Sequence, residues 1–172
     1  EVRHIRDALR QASDELSALE IEHNRRPDLG IMIEIPSTGY IIEELADEVD
    51  FMSIGTNDLI QYLLGVDRTN TLVADLYNPF HPAVLRFIAS VAAVCTRRKL
   101  PLSVCGDAAV NPDMVRFTLG IGIRRFSVAP ASIPSMHGWI SDYCVLETQK
   151  EFSSALLKLC SAEDIRLHLT KE

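Results

Sequence analysis

Glu34, the pair Asn57 and Asp58, and Cys105 each close or follow a short apolar run, and Arg68 comes ten residues after Asp58. Two carboxylates that converge, Glu34 and Asp58, would offer oxygen ligands to a hard cation such as Mg²⁺, which keeps several waters and takes one or two protein carboxylates plus substrate oxygens. The plainer reading makes Glu34 a helix cap and Asp58 a turn residue, because acidic side chains are favoured at helix N-termini. Gly55-Thr-Asn-Asp58 lies between a strand and a helix, where free N–H groups and the helix dipole attract anions. Arg68 can return to that point and grip a phosphate with its planar fork, or it can be an ordinary solvated arginine. Cys105, followed by Gly106, is either a core cysteine or a thiol facing a pocket. An unperturbed thiol is mostly protonated at neutral pH, so in a pocket it can donate a proton as well as attack. Ser127 and the loop Pro130-Ala-Ser-Ile-Pro134 complete the series of strand ends. His81, bracketed by Pro79 and Pro82, reads as a helix-start residue.

The elements that position these residues follow from periodicity. Glu1 to about Arg26 carries Val2, Ile5, Leu9, Leu16, Leu19 and Ile21 among charges, which predicts an amphipathic helix ending before Pro27. Gly30-Ile-Met-Ile-Glu-Ile35 reads as a strand buried on both faces. Ser37 is placed to cap a following helix with Ile41, Ile42 and Leu45 on its apolar face. Strands are predicted again at Phe51–Ile54, Leu102–Cys105 and Phe126–Val128. Helical patterning lies at Leu59–Leu64, around Val84–Cys95, from about Asp113 to Leu119, around Ile133–Tyr143, and in a tail from Lys150 to Leu169. Strands alternating with helices predict parallel βαβ units. Four of them fit either a small doubly wound sheet or part of a (β/α)8 barrel, which needs about 250 residues when complete. In both, chemistry gathers at the C-terminal ends of the strands.

Composition narrows the class of protein. The 172 residues are 47% hydrophobic and 24% charged, with 17 Lys and Arg against 24 Asp and Glu, a net charge of −7. That composition predicts a packed globular chain and argues against a polyanion such as nucleic acid as partner. No stretch approaches the roughly 20 apolar residues of a membrane span, and Glu1 to Arg10 lacks a signal-like apolar core, so a cytoplasmic protein without membrane insertion is expected. Cys95, Cys105, Cys144 and Cys160 show neither a CxxC pair nor zinc-binding spacing and read as free thiols, all but Cys105 packing as apolar side chains.

Asp50-Phe-Met-Ser-Ile-Gly-Thr-Asn-Asp-Leu-Ile-Gln-Tyr62 resembles a signature of the phosphoenolpyruvate-utilising enzymes, and Ser103-Val-Cys-Gly106 resembles their catalytic cysteine segment. Val66-Asp-Arg68 with Val73-Ala-Asp-Leu-Tyr-Asn-Pro-Phe-His-Pro-Ala-Val-Leu-Arg86 is similar to the Enzyme I branch, the phosphoenolpyruvate-protein phosphotransferases of the bacterial phosphotransferase system. The resemblance runs from about Gly30 to Pro134. It implies that residues 1–172 are the second half of a phosphoenolpyruvate-binding (β/α)8 TIM barrel, four βα units plus flanking helices. It further implies Glu34 and Asp58 as Mg²⁺ ligands, Asn57 and Arg68 as contacts of the substrate phosphate, and Cys105 as the acid that protonates C3 of the enolate as pyruvate forms. A phosphocarrier protein as partner through an N-terminal domain, and a homodimer, are implied as well. The family's phosphorylated histidine sits in a Gly-rich Thr-Ser-His context that none of the five histidines here has. That histidine and the first four barrel strands are expected elsewhere in a larger enzyme. Cys105-Gly-Asp-Ala-Ala109 replaces the usual Cys-Gly-Glu-Met-Ala and Ile35-Pro-Ser37 a usual Thr-Pro-Ala, changes expected to touch packing only. Two other functions are compatible with parts of the pattern: a metal-dependent aldolase or lyase acting on pyruvate enolates, which needs neither Cys105 nor Arg68, and an oligomerisation module without activity of its own.

Overall fold

The structure, a computed structural model, describes residues 1–143 together with residues 161 and 164. The expected tail helix and both Cys144 and Cys160 fall outside the described residues but for those two. Four strands, β1 (Gly30–Ile33), β2 (Phe51–Gly55), β3 (Leu102–Cys105) and β4 (Arg125–Ser127), alternate with helices. Helix α1 (Val2–Ala18) precedes the sheet. The others are α2 (Ile42–Ala46), α3 (Thr56–Leu64), α4 (Pro82–Arg98), α5 (Pro112–Gly120) and α6 (Ile133–Asp142), with 3₁₀ turns at Pro36–Ile41, Ala74–Leu76, Asp107–Val110 and Pro130–Ser132.

All three strand pairings are parallel and the sheet order is β1-β2-β3-β4. A doubly wound sheet reverses its strand order at a switch point, whereas a barrel adds each new strand beside the last. The sequential order therefore selects the arc of a barrel. Alternation along the strands agrees. Ile31, Ile33, Met52, Ile54, Leu102, Val104 and Phe126 all join the hydrophobic core under the helices. The register places Met32 beside Ser53, Ser53 beside Ser103 and Cys105 beside Ser127 on the other face. That face is uncovered among the described residues, with Met32 51% and Phe51 39% exposed. The expectation of a first strand buried on both faces is corrected accordingly: only its helix-side residue Ile33 is fully buried.

Two further expectations are corrected. The first helix stops at Ala18, not near Arg26, because the chain enters a left-handed turn at Glu20 (φ 57°). There Ile21 N–H donates to Leu16 O at 2.9 Å and Glu20 N–H to Ser17 O at 3.1 Å, the paired bonds of a Schellman stop. Ser37 caps nothing: it lies inside a 3₁₀ turn that starts after Ile35, and the α-helical part begins only at Ile42. Proline at the first turn position presets the dihedral while removing an N–H, so the turn forms without a side-chain cap. His81 does start α4, its Nδ1 accepting from Ala83 N–H at 3.1 Å.

Ile54, 0% exposed at the centre of the sheet, carries the packing of β2 against the helices. Truncation Ile54→Ala is expected to cost about 2–5 kcal/mol, whereas Tyr40→Ala, 91% exposed, should stay within about 0.5 kcal/mol. Urea denaturation of the two variants checks both.

Candidate functional site

The sheet ends on a set of polar groups because each strand stops where the sequence turns polar. Glu34 directly follows β1, and its Oε2 lies over the end of β2: a Cβ built on Gly55 would come within 3.0 Å of it. Gly55 is thus the space that lets the Glu34 carboxylate approach the turn into α3. Thr56, Asn57 and Asp58 form the first turn of that helix.

The turns after β2 and β3 are locked together. Buried Thr56 donates its hydroxyl hydrogen to Cys105 O at 2.7 Å, and Asn57 Oδ1 accepts from Asp107 N–H at 2.8 Å. Only the oxygen of an amide can accept, so this bond orients Asn57 and leaves its two Nδ2 hydrogens to donate elsewhere. Gly106 between these contacts has φ 92° and ψ −179°, a region open essentially to glycine alone. A Cβ there would also stand 2.4 Å from Thr56 Oγ1.

Cys105 ends β3 on the uncovered face, flanked by Gly55 on one side and Ser127 on the other. Between these small neighbours Cys105 is half-buried. The thiol accepts from Ser53 Oγ at 3.7 Å and donates to Ile54 O at 3.5 Å. Cys95, by contrast, is 2% exposed against Met52, and burial pushes its thiol up to about 11.

Arg68, on the loop after α3, places Nη1 3.2 Å from Asp107 Oδ2. Its backbone N–H reaches Gln61 Oε1 at 3.4 Å, which ties the loop back to α3. Tyr77 donates its hydroxyl hydrogen to Asn57 O at 3.4 Å. Burial raises the phenol above its ordinary value, Arg68 lowers it, and Asp107 and Asp58 raise it again. One ring therefore feels Arg68, Asp107 and Asp58 together.

Every residue singled out in the sequence thus lies at the C-terminal end of the sheet, though the links run in two groups. Glu34 sits on Gly55, while Asn57, Arg68, Asp107 and Tyr77 form a connected cluster around the start of α3. Asp107, expected to matter for packing only, is a partner of both Asn57 and Arg68. Tyr77, Ser53 and Thr56 were not singled out. The signal that could have found Asp107 is its place two residues after a strand-end cysteine and a glycine; Tyr77, twenty residues from Asn57, gave none. Among the described residues no three His, Cys, Asp or Glu side chains converge. A cation held here by Glu34 and Asp58 would complete its shell with water and substrate oxygens, a donor set that suits Mg²⁺.

A parallel α/β sheet with its polar groups gathered at the strand ends defines an enzyme-type site of the barrel class. The chain belongs to the PEP-utilising enzyme, PEP-binding domain family, which matches residues 1–143. A phosphoenolpyruvate-protein phosphotransferase of Cupriavidus necator is 46% identical over 105 residues, 61% of this chain and 18% of its own length. One from Listeria monocytogenes is 36% identical over 167 residues, 97% of this chain and 29% of its own length. A probable phosphoenolpyruvate synthase of Pyrococcus abyssi is 41% identical over 128 residues, covering 74% and 16%. The chain therefore spans less than a third of the length of these relatives.

Gly106→Ala combines a forbidden backbone region with a side-chain overlap and is expected to lower stability by about 1–3 kcal/mol, read from its urea midpoint. The thiols should separate as well. Iodoacetamide at pH 8, followed by peptide mass mapping of the native protein, should modify Cys105 well before Cys95, whose reactive thiolate is reached only as pH approaches about 11.

Proposed function

We propose that this chain carries the metal and phosphoenolpyruvate half-site of a phosphoenolpyruvate-protein phosphotransferase, which moves the phosphoryl group of phosphoenolpyruvate to a histidine in another domain and releases pyruvate. The observation that carries the reading is Cys105: a thiol on the uncovered face at a strand end, beside the same turn that holds Asn57 and, through Asp107, Arg68. Membership of the PEP-binding domain family and the likeness to phosphoenolpyruvate-protein phosphotransferases support it.

The residues divide the work by charge. Arg68, steadied by Asp107, and the Nδ2 hydrogens of Asn57 bind the phosphate oxygens. Glu34 and Asp58 would hold Mg²⁺, which supplies charge neutralisation for the phosphoryl group in flight. As the acceptor imidazole nitrogen bonds to phosphorus, the bond from phosphorus to the C2 oxygen breaks and its electron pair stays on the enolate. Cys105 Sγ–H then gives its proton to C3, yielding pyruvate and a thiolate that solvent reprotonates. The phosphocarrier partner and a homodimer belong to the same proposal, through parts of the enzyme beyond this chain. An aldolase acting on pyruvate enolates would use the carboxylates but leave Cys105 and Arg68 without a role.

In the full-length enzyme, Cys105→Ala should lower pyruvate release from phosphoenolpyruvate by about 10²–10⁴-fold, the usual worth of a general acid. EDTA should abolish turnover and Mg²⁺ restore it. An unaffected Cys105→Ala variant would remove the assigned proton donor.

A further inference from the structure

A second polar concavity lies at the opposite end of the sheet. Helix α1 carries Arg6 and Arg10 four residues apart, hence on one face. The turn at Glu20 sends the chain back along that face. His23 bridges Ser13 Oγ and Ile21 O, both at 2.8 Å, and Asn24 Oδ1 accepts from Arg26 N–H at 3.0 Å. These local bonds set Arg25 and Arg26 beside the two helical arginines. The four line one cleft of about 90 Å³.

Four arginines and one carboxylate line the cleft, an excess of positive charge. Arg10 pairs with Asp7, the Glu48 carboxylate acts on Arg6, and Asp50, which accepts from Leu29 N–H at 2.8 Å, offsets part of the lining charge. Neither Arg25 nor Arg26 forms an ion pair among the described residues. Arg6 donates from Nη2 to Glu48 O, but its Nε is buried with no hydrogen-bond partner. A buried donor without an acceptor costs about 1–3 kcal/mol, and gathering like charges adds to the cost. An anion in the cleft relieves the crowding of like charges. At about 90 Å³ the cleft is far below the roughly 300–1,000 Å³ of sites for drug-sized ligands, so it suits a single tetrahedral group.

We propose that Arg6, Arg10, Arg25 and Arg26 form a binding site for a small free phosphate, inorganic phosphate or a compact phosphate monoester. Leu29 and Asp50 stand just before β1 and β2, so this site lies at the N-terminal ends of the strands. Glu34, Asn57 and Cys105 stand at the C-terminal ends, about 15 Å away by the rise of a strand. The site is independent of the proposed phosphoryl transfer.

The test titrates the full-length protein with inorganic phosphate by calorimetry at constant ionic strength, in an Arg68→Ala background that removes the phosphate ligand at the other end. Adding Arg25→Ala and Arg26→Ala, both on an exposed turn, should weaken binding about tenfold or more, while adding Arg97→Ala, a surface arginine on α4, should leave it unchanged. Equal affinity with and without Arg25 and Arg26, an equal loss on Arg97→Ala, or no binding heat before those substitutions overturns the proposal. Pyruvate release is read separately, from the Arg25→Ala/Arg26→Ala enzyme with Arg68 in place: release at the unaltered rate supports a site independent of the phosphoryl transfer, release lost with those two arginines overturns that independence, and absent phosphate binding with release intact overturns this proposal alone.

Discussion

The lock between the turns after β2 and β3 is the constraint on which the site depends. Thr56 holds Cys105 O, Asn57 holds Asp107 N–H, and Gly106 is the residue that lets the two turns close to this distance. Each bond satisfies a backbone group that a strand end would otherwise leave unpaired, so the lock serves the fold as well as the proposed site. Its by-products are the chemistry. The Cys105 sulfur is fixed on the uncovered face, Asn57 is turned so that its donors are free, and Asp107 is brought to Arg68.

The one-sided burial of the sheet has the same economy. A strand's side chains alternate, and here the apolar set points to the helices while Ser53, Ser103, Cys105 and Ser127 share the other face. Small polar neighbours are what permit a thiol to remain reachable while its backbone is in the middle of a ladder. Cys95, on a helix packed to the apolar side, shows the alternative fate of the same side chain.

Charge is partitioned along the strands in a way the net value of −7 conceals. The C-terminal end combines carboxylates with one arginine, the mixture that the proposed cation and phosphate would need. The other end lines one cleft with four arginines and Asp50. Local concavity and geometry, not the sum, decide which anions a surface attracts.

The sequence by itself determined the alternation of four strands and helices, the start of α4 at His81, and the placing of Glu34, Asn57, Asp58 and Cys105 at one end of the sheet, because these rest on local periodicity and on where apolar runs stop. It could not reach the stop of α1 at Ala18, where a left-handed Glu20 does the work usually given to glycine, nor the 3₁₀ turn that displaces Ser37 from its expected capping role. Periodicity alone left an open sheet and a barrel arc both standing, since strand order is a property of pairing and not of spacing, and only the family resemblance pointed to the barrel. Asp107 against Arg68, Tyr77 against Asn57, and Arg6 and Arg10 against Arg25 and Arg26 are decided only by tertiary structure. Each joins groups on different elements, and a sequence records the distance along the chain between them but not the turn that brings them back together.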